Sequence, residues 1–279
     1  MNPATVRPSR WPAILVNAGL LLLAAATLLP LLWMVSVSLM PVGEANVFPP
    51  AFLPSRVTLE HYRALFGRLD LGRYLVNSTL IAAAVTALSL LFNAMAGYAF
   101  AKLRFAGRDR LFGLLLAALV IPTQVAMLPL FLLVRSLGLV NTRWGVVVPA
   151  MASIFGIFLV RQFALAIPDE LLDAARIDGA SELRIFRSVV LPLCRPVLLT
   201  LAIFTFLATW NDFTWPLVVL TDGSMYTLPI ALANLAGEHY QDTELMMAGS
   251  LLTIGPVLVL FVVLQRYYLE GILLGSVKE

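Results

Sequence analysis

Long apolar runs alternate with short charged ones along the whole 279-residue chain. The runs cover roughly residues 12–39, 74–101, 111–135, 144–165, 197–220 and 246–265. Each holds about 20 or more mostly apolar residues, enough for a helix to cross about 30 Å of hydrocarbon. The pattern predicts an all-α membrane protein with six transmembrane helices, organised as one domain over 1–279. Arg7 and Arg10 precede the first run as they would in a signal peptide. Its apolar stretch is longer than the 7–15 residues of a secretory core, so it reads as a span.

One polar interval breaks this rhythm. Residues 166–193 contain Asp169-Glu170-Leu171-Leu172-Asp173-Ala174-Ala175-Arg176-Ile177-Asp178-Gly179, then a second charged stretch from Ser181. Pro168 ends the preceding pattern, and Asp169 and Glu170 fall in a first helical turn, where the helix dipole favours acids. Leu171, Ala174 and Ala175 share one face, while Asp169, Asp173 and Arg176 share another. Asp178-Gly179 reads as a stop, with Gly179 suited to the left-handed conformation at a helix end. Ser181 is placed to cap a second helix with an apolar stripe of Leu183, Phe186, Val189 and Val190. Pro192 and Pro196 punctuate the entry to the fifth run. The expected unit is helix, glycine turn, helix. An amphipathic loop on the membrane surface is one reading, but such helices usually carry Lys and Arg on their polar face. Mixed charge around small residues fits a docking element for a second protein better.

Composition supports lipid as the solvent. The chain is 60% hydrophobic and 13% charged, against about a quarter charged in soluble domains. A net charge of +3 and the lack of a basic run argue against nucleic acid. The one cysteine, Cys194, excludes an internal disulfide, and His61 and His239 lack metal-ligand spacing. Most of the 19 Lys and Arg residues lie at the two ends and in 102–110 and 161–196. By the positive-inside rule both termini and the 166–193 segment are cytoplasmic. A phosphate-binding loop ends in Gly-Lys-Ser/Thr, and neither Lys102 nor Lys278 stands in that context, so ATP is expected on another chain.

The segment LLDAARIDGASELRIFRSVVLPL resembles the cytoplasmic signature of ABC-importer permeases, a Glu-Ala-Ala followed by Gly and an apolar-Leu-Pro ending. GYAFAKLRFAGRDRLF, LPLFLLVRSLGLVNTRWGVVVPA, FTFLATWNDFTWPLVVLTDGSMYTLPIAL and VVLQRYYLEGILLGSVKE are similar, in the same order, to blocks of the maltose-type carbohydrate permeases, and of their second permease in particular. Asp173 stands where that signature has Glu. The chain ends in Val277-Lys278-Glu279, where those permeases usually end in Lys-Gly.

The resemblance implies a bacterial inner-membrane permease that works by alternating access. Its partners would be a second homologous permease, two ATP-binding cassette subunits that hold ATP and Mg, and an extracytoplasmic sugar-binding protein. The 166–193 segment would be the coupling helix, with Asp173, Ala174, Ala175, Asp178 and Gly179 docking on the ATPase and Asp173 pairing with a base there. Residues 221–245 and 40–73 would face the binding protein. In the fifth run Thr209, Trp210, Asn211 and Asp212 are candidates for the substrate path. Asn211 and Asp212 fit equally a local role, bonding backbone where Pro216 interrupts the helix. Asn77 and Asn93 read as helix–helix contacts. The mid-span regions lack Lys and Arg, which favours a neutral sugar over glycerol phosphates, with polyols another alternative. An ATP-independent secondary transporter is the rival outside this class. It has no use for a docking segment.

Overall fold

The computed structural model describes residues 11–49, 51–238 and 242–276, so His239 and the tail 277–279 lie outside the described residues. These residues are helical throughout, joined by turns and loops, and form two compact units. One unit comprises residues up to Leu69 with Leu235–Leu252, the other Asp70–Asn234 with residues from Thr253 onward.

The first unit is led by α1, Trp11–Ser38, whose leucines remain exposed on every side. A helix that is apolar all round needs lipid or protein as its surroundings. Beyond it, α2 (Glu60–Gly67) is held to the loop that follows α1. The buried His61 Nε2 is 2.8 Å from Met40 O, and Tyr62 donates to Ser38 Oγ. The buried Glu244 accepts from the Ala45 amide.

The second unit is organised around α3, Leu71–Lys102, a 32-residue helix about 48 Å long at 1.5 Å per residue. It packs on α7 (Ile154–Leu165) and α11 (Arg195–Trp210). Gly97 permits the first contact, because a Cβ there would stand 2.7 Å from Val160 Cβ. Two apolar clusters fill the unit. One joins Ile81 and Val85 of α3 to Val134, Val146, Val147 and Val219. The other joins Ala94, Tyr98 and Ala101 to Ile167, Leu172, Ile185, Phe186, Val190 and Cys194.

The predicted runs map onto helices, but three of them are not straight. Residues 111–135 form α4 (Arg108–Ala118) and α5 (Thr123–Ser136), bent by 109°. Pro122 accounts for the break, since it lacks an N–H and disfavours helical geometry at the residue before it. The fourth run is α6 (Arg143–Ala150) and α7, interrupted at 151–153 just after Pro149. The fifth helix, α11, stops at Trp210, and a separate turn, α12 (Thr214–Val219), completes the run. Its entry, through α9 (Glu182–Ile185), a π turn (Phe186–Val190) and α10 (Leu191–Leu193), bends by 78° at Cys194, which is 1% exposed. The last run lies in α14, Thr243–Ser276, preceded by the short α13, Leu228–Glu238. Both predicted helix–helix asparagines act as such. Asn77 donates to Ser224 O and Tyr226 O and accepts from Arg143, while Asn93 binds Ser89 and Ser153.

Candidate coupling segment and transport path

The 166–193 segment folds as the sequence chemistry dictates. Its first helix, α8, spans Asp169–Ile177 with both acids in its first turn. Gly179 takes φ +79°, and the amides of Gly179 and Ala180 return to Arg176 O and Ala175 O, each at 3.0 Å. Ser181 then caps α9, accepting from the Arg184 amide. Only one large residue of α8, Leu172, is buried, in the cluster around Tyr98 and Phe186. Leu171, Ala174, Asp178 and Gly179 are exposed, Ala175 is half-buried against the cluster, and Ile177 is 87% exposed.

Two polar anchors fix this exposed face to the spans. The Lys102 side chain is only 6% exposed, and its Nζ donates to Asp169 Oδ1 (2.6 Å) and Ile167 O (2.5 Å). The bonded ammonium holds the Asp169 carboxyl below the usual carboxylate range. At the other end, Arg176 donates from Nε to Glu182 Oε1 (2.8 Å) and from Nη1 to Asp173 Oδ1 (2.7 Å). Glu182 Oε2 accepts from Tyr98 OH at 2.6 Å. Those bonds, to Glu182 first and Asp173 second, raise the already high Arg176 pKa. Asp173 thus has an internal partner, and Arg176 is the hub joining α8, α9 and α3.

Sequence reading missed Tyr98, Lys102 and Glu182. Lys102 carried the one available signal, a lone ammonium at the end of an apolar span. Leu183 does not belong to the buried stripe. It is 62% exposed, while Ile185 packs inside, because the π turn after it shifts the register by one residue.

The four path candidates separate. Thr209 lines a cavity of about 350 Å³ between α3, the interruption of the fourth span and α11. Trp210 is 1% exposed, stacks on Phe206 and donates from Nε1 to Thr253 O at 3.1 Å, so its ring is committed to packing. Asn211 donates to Leu207 O, and Asp212 Oδ1 accepts from the Trp215 amide, the local backbone role open to them at Pro216. Trp215 donates to Gly145 O.

Residues 93–271 match the model of a family described as binding-protein-dependent transport system inner membrane component. The chain belongs to this family of inner-membrane permeases. The matched residues take in the whole 166–193 segment and the interruption of the fourth span. A permease protein of the arabinooligosaccharide transport system of Halalkalibacterium halodurans is 42% identical, over 95% of this chain and 96% of its own length. A permease protein of the lactose transport system of Rhizobium radiobacter is 33% identical, over 96% and 97%. A bacterial ABC transporter that imports the acidic polysaccharide alginate has a chain that superposes with a TM-score of 0.82 at 25% identity, covering 96% of this permease and all of that chain. The permease fold, with its broken third and fifth spans, is therefore the architecture of an ABC importer.

Proposed function

We propose that this permease is one of two in a bacterial carbohydrate importer, and that α8, Gly179 and α9 form the lever through which a separate ATPase moves it. ATP and Mg bind on that ATPase. A second homologous permease completes the path, an extracytoplasmic binding protein delivers the sugar, and both termini lie in the cytoplasm. The relatives named for arabinooligosaccharide and lactose transport support a sugar as cargo.

The observation that carries the lever reading is the pairing of an exposed apolar face with a rigid base. Ile177, Leu171 and Ala174 stand free, while Lys102 and the Tyr98–Glu182–Arg176 chain tie the same helix to α3. A partner gripping the free face moves the spans with it, since α8 has no slack against them. Docking residues are Asp173, Ala174, Ala175, Asp178 and Gly179, joined by Ile177, which fits a pocket on the partner. Asp173 contributes through Arg176 as well as directly.

The test is gentle solubilisation of the native membrane and capture of the tagged chain, comparing wild type with Ile177→Glu. Wild type should retain an ATP-hydrolysing subunit and a second permease, and the variant should keep the permease and lose the ATPase. Wild type recovered alone, or only with copies of itself, would overturn the proposal.

A further inference from the structure

The interruption of the fourth span falls inside an apolar stretch long enough to cross a membrane. It divides Arg143–Leu165 and lies against Ser89 and Asn93, near and past the middle of α3. A helix end leaves its last carbonyls without intrahelical donors. The Ser153 amide, which would continue the ladder, turns instead to Asn93 Oδ1 at 2.9 Å, and the Gly156 amide to Ser153 Oγ at 3.0 Å. Non-helical backbone survives at membrane depth only where protein buries it or where it lines a watered cavity. The cavity of about 350 Å³ opens at this point, within the roughly 300–1,000 Å³ of small-molecule sites.

Its wall has a definite chemistry. Thr205 and Thr209 are one turn apart on α11 and face the cavity together. Thr200 spends its hydroxyl on Pro196 O, but among the described residues no protein group pairs with the hydroxyls of Thr205 and Thr209. Ser89 Oγ and Ser153 Oγ accept from Asn93 Nδ2 at 2.7 and 3.5 Å, leaving their hydrogens to donate. Phe155 and Phe204 add ring surface, each about half exposed. Among the described residues no acid or base lines the cavity, so a charged cargo would find no counter-charge there. Neutral hydroxyls beside bare aromatic faces suit a molecule with hydroxyl edges and C–H faces.

We propose that this cavity is a carbohydrate subsite on the permease's own half of the path, with Thr205 and Thr209 hydrogen-bonding the sugar and Phe155 and Phe204 packing on its ring. The subsite rests on the carbohydrate reading of function. A helix of the second permease is the competing occupant, and it would press apolar surface onto the two threonine hydroxyls.

The importer complex, captured through this chain and reconstituted in liposomes with its binding protein, is offered radiolabelled arabinobiose, lactose and trehalose. The sugar that wild type takes up becomes the probe. In Thr205→Val/Thr209→Val, which keeps shape and removes both hydroxyls, uptake at limiting sugar should fall about ten-fold or more, one lost hydrogen bond being worth up to about that factor. ATP hydrolysis stimulated by the loaded binding protein should be unchanged, and Thr205→Ser/Thr209→Ser should restore uptake. Thr209→Cys should react with a water-soluble thiol reagent and be protected by the probe sugar. Unchanged uptake in the valine variant, loss of ATP hydrolysis in step with uptake, or a Thr209→Cys that never reacts would each overturn the subsite. Wild type that hydrolyses ATP yet takes up none of the three sugars would overturn the carbohydrate reading, and the subsite with it.

Discussion

Lys102 Nζ and Asp169 Oδ1 lie 2.6 Å apart although 67 residues separate them in the chain. The pair closes the end of α3 onto the start of α8. Its two halves are unequal, for the ammonium is nearly buried and the carboxylate is largely in water.

That inequality predicts an order of effects. Lys102→Met should destabilise the permease more than Asp169→Asn, because it also strips the buried Ile167 carbonyl of its donor, a loss of about 1–3 kcal/mol. Asp169 has a lowered pKa, so its contribution is complete above the ordinary 3.8 and disappears as the pH falls through the lowered value. A double-mutant cycle on this pair, read by thermal unfolding of the purified complex, should keep its coupling from about pH 7 down to the ordinary carboxylate value of 3.8 and lose it only below that. Coupling that stays constant on both sides of that value would remove the ion pair from the account.

Within this chain Gly179 is a backbone requirement. It sits at φ +79° with no atom within 4 Å of an added Cβ. Gly179→Val should therefore cost about 1–2 kcal/mol through strain alone. Gly179→Asn should cost less, since Asn tolerates the left-handed region. The measurement is the amount of ATPase retained on purification: Val should lower it, Asn should largely keep it, and membrane insertion should be normal in both. Equal retention in all three would show that the turn does not set the docking face.

Trp210 is packed inside the fold, stacked on Phe206 and bonded to Thr253 O. Trp210→Phe loses the bond to Thr253 O and should cost about 1 kcal/mol, whereas Trp210→Ala leaves a void worth about 3–5 kcal/mol. Neither should alter the relative uptake of the transported sugars. A change in preference, measured by competition between two of them, would return Trp210 to the sugar path.

Local chemistry made the turn at Gly179 and the cap at Ser181 legible from sequence, because each depends only on residues within one helical turn. The apolar runs were legible for the same reason, and so was the local backbone bond open to Asp212, which accepts from the Trp215 amide. Three features were not legible. The stripe from Leu183 assumed a uniform helical period that the π turn at Phe186–Val190 does not keep. The anchor made by Lys102 joins distant segments, and no periodicity reports that. Thr209 and Trp210 are neighbours with opposite surroundings, a distinction set by where α14 and α3 pass, not by their own chemistry.

Cys194 is the buried residue at the bend that leads into α11. It is the one thiol in the sequence, and its burial leaves it out of reach of reagents dissolved in water. The permease is thus nearly blank to sulfur chemistry as it stands. A probe placed on the exposed face of α8 or beside Thr209 would carry an unmixed signal, with no need to rebuild the hinge first. Motion of the lever and filling of the path could then be timed separately in one working assembly, and their order in the transport cycle read directly.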